Sequence, residues 1–548
     1  MVAELAGQPV LILKEGTSRT RGHEAQHANV VAARVIAESV RSSLGPKGMD
    51  KMLVDSFGDV TITSDGATIL KEMEVQHPAA KMMVEIAKTQ DSEVGDGTTS
   101  VVVLAGDLLT KAEELIDKDV HPTLIIEGYR RATEEALNVL DKIAIDVDPK
   151  DKDVLRKIAI TSMASKLVSE NKEELADLAV DAILQVSREE NGKYKADLDD
   201  ILVVKKAGES LSDTKLVQGV VVDKEVVHPG MPKRVDEAKI ALLDCPLEIE
   251  KTEFDAKLNI EHPDQMKAFL DQEETMLRDM VKKITGVGAN VLICQKGIDD
   301  MAQHFLARSG VLAVRRVKKS DMEKLAKATG GRVVTNLDDL SEKDLGYAKL
   351  VEERKIADDK MCFVEGCKNP KAVTILIRGG TERIVDEAER SVHDALCVVR
   401  DVVQEPKILA GGGAPESELA GALRKFSEKI SGREQLAIQK FAEALEGIPT
   451  ALAENSGSDT IDTIVALRSR HEKGEIWAGL DPISGEVKDM KKLSVYEPLS
   501  VKKQVIRSAS EAASMILRID DIIASSKMKE PAMPKTPKSE TPGGESGD

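Results

Sequence analysis

Apolar positions along the chain change period several times, and each change marks an element. From about Glu24 to Leu44 they fall at helical spacing (Ala28, Val31, Ala32, Val35, Ile36, Val40), and Gly45-Pro46 stops that helix. Val10–Leu13 reads as a short strand, and so does Val60–Thr63. Ser64-Asp65-Gly66 then turns into Ala67–Leu70, a second strand-like segment. Ala79 to Thr89 is helical, Gln90 to Gly97 is a polar loop, and a long helix is expected from Thr98 to about Ile116. Through the middle, short apolar runs at 201–204, 219–222, 240–243 and 291–293 alternate with helical stretches at 265–284 and 298–307. That alternation predicts an α/β region. It ends with Val373–Gly380, and the remainder to about Ser526 reads as largely helical. Pro531 to Asp548 has the Pro, Lys, Ser, Glu and Gly content of a disordered tail. No solenoid repeat is visible.

Length turns this pattern into a multi-domain expectation, since 548 residues exceed one ordinary core. Aromatic residues make up 2% of the chain, with one tryptophan, Trp477, which argues against base-stacking platforms for single-stranded nucleic acid. A net charge of −19 argues against phosphate backbones as partners. The basic run Arg315–Lys319 reads as a solvated face. Five scattered cysteines form no CxxC pair, so neither a zinc ribbon nor a thioredoxin motif is expected. With no signal pattern at the N-terminus and no apolar stretch of spanning length, a cytoplasmic protein without membrane contact is expected.

Candidate chemistry lies in Leu44-Gly45-Pro46-Lys47-Gly48 and in Gly95-Asp96-Gly97-Thr98-Thr99. Each sets glycines and a nearby carboxylate at a helix end, where backbone N–H groups can hold phosphate and an aspartate can hold magnesium. No GxxxxGK[ST] loop is present. Taken singly, the signals have plainer readings. Asp96 and Thr98 suit a helix cap, Asp65 a turn, Gly411–Gly413 a flexible joint, and Asp394 a solvated helix face. His23-Glu24-Ala25-Gln26-His27 matches HExxH, but the Gly and third His of the longer zinc motif do not follow, so surface histidines are expected.

Together these segments resemble the group II chaperonins, from about Glu24 to Ser526. The most specific parts are Leu44–Lys51, Ile62–Gly66, Val94–Thr99, Val314–Gly330, Ala372–Gly380, Gly411–Glu416 and Ile516–Ile523. The resemblance implies a multi-domain α and α/β architecture. A mainly helical equatorial ATP-binding domain would combine residues 1–150 and 406–526, followed by a tail over 527–548. A small α/β intermediate domain would combine 151–222 and 373–405. An α/β apical substrate-binding domain would span 223–372, with a helical lid at about 248–284 carrying Phe254, Leu258, Ile260, Met266, Phe269, Leu270, Met276 and Met280.

It also implies ATP and Mg2+ as cofactors. Leu44, Gly45 and Pro46 would form the nucleotide-binding turn, Asp96 the magnesium ligand, and Gly97, Thr98 and Thr99 the phosphate contacts. Asp65 and Asp394 would position or activate the attacking water, and Gly412 and Glu497 would meet the nucleoside. Lys166 would belong to a nucleotide-sensing loop, here followed by Leu167 where relatives are glycine-rich. The implied activity is an ATPase that folds non-native proteins inside stacked eight- or nine-membered rings of identical or paralogous subunits. The alternative is an ATP-responsive holdase or scaffold, with a zinc protease third.

Overall fold

The computed structural model describes residues 2–5, 8–11, 18–166, 171–249, 263–357, 359–367 and 372–524. The expected tail, Leu167, and Phe254, Leu258 and Ile260 of the expected lid lie outside the described residues.

A helical body is built from both ends of the chain. Its N-terminal part contributes helices His23–Arg41, Pro78–Val94, Thr98–Ile116 and Pro122–Ile143. Its C-terminal part contributes Ala414–Ser427, Arg433–Leu445, Gly447–Ser456, Thr460–Glu472 and Leu499–Leu517. Thr98–Ile116 is the centre because its sequence is apolar nearly all round: Val101 to Ala105, Leu108, Leu109 and Ala112 are all buried. It packs on His23–Arg41, Leu499–Leu517, Arg433–Leu445 and Pro78–Val94. Tyr129 closes one end, its hydroxyl donating to Leu108 O at 2.8 Å and its ring meeting Phe441 edge-on at 5.4 Å.

Next comes a small α/β unit, the link. Strand Val373–Gly379 lies between Ile201–Ala207, which runs parallel to it, and Lys215–Val217, which runs antiparallel. Helices Lys172–Val186 and Glu382–Gln404 cover this sheet, and Lys152–Met163 packs on both of them. All seven residues of Val373–Gly379 are buried, as expected of a central strand covered on both faces.

Between the two passes through the link lies a seven-stranded sheet. Its path runs Gly219–Val222, Asp359–Cys367, Gly346–Ile356, Arg234–Leu243, Val291–Cys294 and Leu312–Val314, with Val333–Val334 also pairing to Arg234–Leu243. The last three strands of that path are parallel and the others antiparallel. Helices Pro263–Gly286, Asp300–Arg308 and Lys319–Thr329 accompany it. The chain is thus a multi-domain protein of α and α/β parts.

Three local expectations need correction. Ala67–Leu70 is helical, not strand-like, because Asp65 caps it and starts the helix Gly66–Glu72. The loop expected over Gln90–Gly97 shrinks to Gly95–Gly97, since Pro78–Val94 continues as helix and buries Gln90 and Val94. Val35 is 59% exposed; the inward face of its helix is carried by Ala25, Asn29, Val30, Ala33, Ile36, Ala37 and Val40. On Pro263–Gly286, Leu270 and Met276 are exposed while Met280 packs on the sheet's core.

Candidate functional site

The turn between two long helices is pinned by two left-handed glycines. Gly95 (φ 69°) ends Pro78–Val94, its N–H donating to Asp91 O at 2.9 Å, and Gly97 (φ 76°) precedes Thr98–Ile116. A Cβ on Gly95 would stand 2.3 Å from Cys397 Sγ, and one on Gly97 would stand 2.9 Å from Val505 Cγ2. The turn is therefore wedged between Glu382–Gln404 and Leu499–Leu517, and any side chain at Gly95 or Gly97 would push it out. No side chain caps the helix that Gly97 opens, which leaves its N-terminal amides as anion donors. Gln90, fully buried, donates from Nε2 to Asp96 O at 2.9 Å, and Asp96 Oδ1 accepts from Gly97 N–H at 2.6 Å.

Three aspartates and one lysine gather around this turn. Asp65 accepts from Thr68 N–H at 2.8 Å through Oδ2 and from Thr98 Oγ1 at 2.9 Å through Oδ1. Asp394, on Glu382–Gln404, forms an ion pair with Lys166, and both side chains are less than 10% exposed. Burial disfavours the Asp65 carboxylate, but the charge of Lys166 and the hydrogen bonds from Thr68 and Thr98 outweigh it and hold Asp65 below the usual range. Asp394 goes the other way. Burial, with the charges of Asp65 and Asp96 added, pushes it well above the ordinary carboxylate value, and Lys166 offsets only part of this. Lys166 itself stays cationic: burial works against the charge, yet Asp394, Asp65 and Asp96 raise its pKa. One cation facing three carboxylates leaves a local excess of negative charge and one carboxyl poised to hold a proton.

Two further groups flank this one. Glu497 lies against Gly411, and the charge of Asp96 reaches it. Gly412 O accepts from Leu480 N–H at 2.8 Å. Leu44, Gly45 and Pro46 sit on the other side of helix Gly447–Ser456, where Asn455 Nδ2 donates to Leu44 O at 2.8 Å. A Cβ on Gly45 would meet Leu452 Cδ2 at 2.4 Å, and Leu44 packs on the cluster formed by Leu452, Ala453 and Leu480.

The structure therefore brings Asp65, Asp96, Thr98, Lys166 and Asp394 into one electrostatic group. Glu497 adjoins it, Leu44–Pro46 are held by helix Gly447–Ser456, and Gly412 is held by Leu480, which shares a cluster with Leu44. Asp394 is buried rather than solvated, because its helix is sandwiched between the link and the helical body. Sequence reasoning missed Gln90 and the buried pairing behind Glu497, where Lys502 Nζ lies 2.6 Å from both Glu497 Oε2 and Glu416 Oε1. Only Glu416 had a signal, as the end of the Gly411–Glu416 segment.

The donor set suits a nucleotide and a hard cation. Asp96 and its neighbours offer carboxylate oxygens, which magnesium prefers, beside an uncapped helix start. Among the described residues no group of three or more His, Cys, Asp or Glu is gathered closely enough to form a metal cluster by itself. Phosphate oxygens would have to complete such a site. His23 and His27 offer no zinc centre, since they face separate carboxylates of one helix: His23 lies 3.5 Å from Asp117 and His27 lies 2.5 Å from Glu113.

Comparison with known proteins agrees with this architecture. Residues 36–527 match the TCP-1/cpn60 chaperonin family. A thermosome subunit of Pyrococcus abyssi is 60% identical over 528 residues, 96% of each chain. One from Methanopyrus kandleri is 60% identical over 95% of this chain and 96% of its own. The thermosome subunit alpha of Archaeoglobus fulgidus is 57% identical over 100% of this chain and 99% of its own. The chain belongs to the TCP-1/cpn60 chaperonin family, and within that family it stands with the archaeal thermosome subunits of the group II branch.

Proposed function

We propose that this chaperonin subunit hydrolyses ATP and uses the cycle to enclose and fold non-native proteins. The observation that carries this reading is the burial of Asp394 against Lys166. It places an acid from the link helix among the aspartates of the helical body, so that the site is complete only when the two are docked. In this reading the helical body is the equatorial domain (1–150 and 406–526), the link is the intermediate domain (151–222 and 373–405), and the seven-stranded sheet belongs to the apical domain (223–372).

Asp96 would hold magnesium, which when bound offsets charge on the phosphates. The amides of Gly97, Thr98 and Thr99 receive phosphate oxygens at the positive end of the helix dipole. Asp394, with its raised pKa, takes a proton from the attacking water, and Asp65, kept ionised, orients that water. Lys166 compensates the carboxylates and reports their charge to the sensing loop. Leu44–Pro46, Gly412 and Glu497 bound the nucleoside end. Phosphate release changes the charge facing Lys166 and Asp394 on the docked Glu382–Gln404, and the link passes that change on to the sheet as a rigid-body switch.

Paralogous or identical subunits in stacked eight- or nine-membered rings would form the enclosing cavity. The exposed Leu270 and Met276 near its mouth suit contact with non-native chains. No described helix is long and apolar enough to cross a membrane. All five cysteines are free thiols, which fits a cytoplasmic setting.

The test is recovery of a denatured model enzyme diluted into the assembled protein. Recovery with ATP and magnesium, but not with a non-hydrolysable analogue, is the expected result. Suppressed aggregation with no nucleotide-dependent recovery would replace the folding cycle with a holdase.

A further inference from the structure

On the helix Glu382–Gln404, two turns before Asp394, Glu387 is a carboxylate that the hydrolytic chemistry leaves unused. It is 1% exposed, and Arg390 takes only one of its oxygens, with Nε at 2.9 Å and Nη2 at 2.8 Å from Oε2. Oε1 is enclosed as well, yet it has no closed hydrogen bond among the described residues. Burial pushes Glu387 above the ordinary carboxylate value, and Arg390, Lys166 and the Thr63 hydroxyl offset part of that rise. Thr63 comes from the other side of the seam. It ends strand Val60–Thr63, in the N-terminal part of the helical body, on which Glu382–Gln404 packs, and it is fully buried. Its Oγ1 accepts from Asp65 N–H at 3.1 Å.

An enclosed carboxylate oxygen without a partner costs the full loss of its hydration, so its place calls for a donor. A threonine hydroxyl has one proton to give and two acceptor sites. On Thr63 the Asp65 N–H occupies an acceptor site, which leaves the proton for an acceptor across the seam, where Glu387 lies. We propose that Glu387 is a positioning residue for hydrolysis. When the link helix is docked, its Oε1 accepts from Thr63 Oγ1–H, which fixes Oγ1 as the acceptor for Asp65 N–H and so aims the Asp65 carboxylate at the attacking water. Docking of the link thus sets Asp65 as well as bringing Asp394. This rests on the reading of Asp65 as the residue that orients water. Glu387 touches neither nucleotide nor water; it acts through Thr63.

The test is steady-state ATP hydrolysis by the assembled protein, with kcat and KM read separately. Thr63→Val keeps the shape and removes the hydroxyl. It should lower kcat about tenfold, the scale of a lost hydrogen bond to a charged group, and leave KM within about twofold. Thr63→Ser should restore most of kcat. Glu387→Gln should also lower kcat about tenfold, and Thr63→Val/Glu387→Gln should be no slower than either single variant, because both break one contact. Should Glu387→Gln fail to assemble, Glu387→Gln/Arg390→Met removes one anion and one cation together and takes its place in the comparison. A double variant slowed by the product of the two single losses overturns the proposal. So does an unchanged kcat in Thr63→Val, or a Thr63→Ser no faster than Thr63→Val. Asp65→Asn, measured beside them, tells the failures apart: turnover like that of the wild type in this variant overturns the reading of Asp65 itself, and the latch with it.

Discussion

The link meets its two neighbours in opposite ways. Toward the helical body the apolar core is continuous: Leu155, Ile158, Ile375, Val392, Val399 and Val402 of the link belong to one buried cluster with Val102, Leu104, Val505 and Ala509. Toward the seven-stranded sheet the junction has its own narrow cluster, Val204, Val221, Met361, Phe363 and Leu376, with a polar staple beside it. There Thr374 Oγ1 accepts from Val221 N–H at 3.1 Å and donates to Gly219 O at 2.9 Å. The sheet keeps a separate core around Ile240, Leu242, Val291 and Leu312. The wide seam is built to hold geometry, and it is the one that carries the polar site. The narrow seam has little apolar area to disrupt, so movement driven by the site is expected to concentrate there.

Breaking the wide seam at its polar centre gives the largest expected effect. Asp394→Ala should keep ATP binding and lower turnover by roughly 10²–10⁴-fold, the usual contribution of a general base. Steady-state hydrolysis with a separate binding titration checks it, and unchanged turnover would remove Asp394 from the chemistry.

Apolar truncations compare the two seams directly. Leu155→Ala in the continuous core and Phe363→Ala in the narrow one should each cost about 2–5 kcal/mol locally. Calorimetry should show Leu155→Ala lowering the transition of the helical body and link. Phe363→Ala should instead separate an earlier transition of the sheet, with ATP binding retained. One common transition for both variants would mean that the seams do not differ.

A smaller effect is expected at the turn. Gly95→Ala places a Cβ against Cys397 and forces a left-handed φ on a side chain, at a cost of about 1–3 kcal/mol. Weakened nucleotide binding, partly relieved by adding Cys397→Gly, which removes both the Cβ and the Sγ that would stand 2.3 Å away, would show that the turn and Glu382–Gln404 are sprung against each other.

The smallest change is in pH dependence. Asp394 must be unprotonated to accept a proton, and its pKa lies well above the ordinary carboxylate value. Turnover should therefore fall as pH drops through that raised value, earlier than an ordinary aspartate would dictate, by about tenfold per unit below it. The stability term has the same origin. A folded pKa above the unfolded one gives stability that is full below the unfolded value and lost as pH rises through the folded value. Asp394→Asn should remove that slope.

Much of this contrast could be read from the residues. The helix expected from Thr98 to about Ile116 is present, and the short runs at 201–204, 219–222 and 291–293 fall on strands because apolar period and run length are local properties. Gly95 and Gly97 stood out for the same reason. Gln90 did not, because its importance comes from facing Asp96 after the helix runs on for one more turn. Lys502 also left no mark, since a single lysine on an amphipathic helix looks solvated until Glu416 and Glu497 close over it from two other elements. The burial of Asp394 likewise depends on packing across some 230 residues of sequence to Lys166, which no local pattern encodes.

The most direct measurement of the unequal seams is a distance between spin labels on exposed positions of the two outer bodies. Ile461→Cys in the helical body and Met301→Cys on helix Asp300–Arg308 beside the sheet are suitable, with labelled subunits diluted into unlabelled ones. The account predicts that the distance within one subunit shifts when hydrolysable ATP and magnesium are added, and that Asp394→Ala abolishes the part of the shift that requires hydrolysis. An unchanged distance in the wild-type protein during active turnover would contradict it.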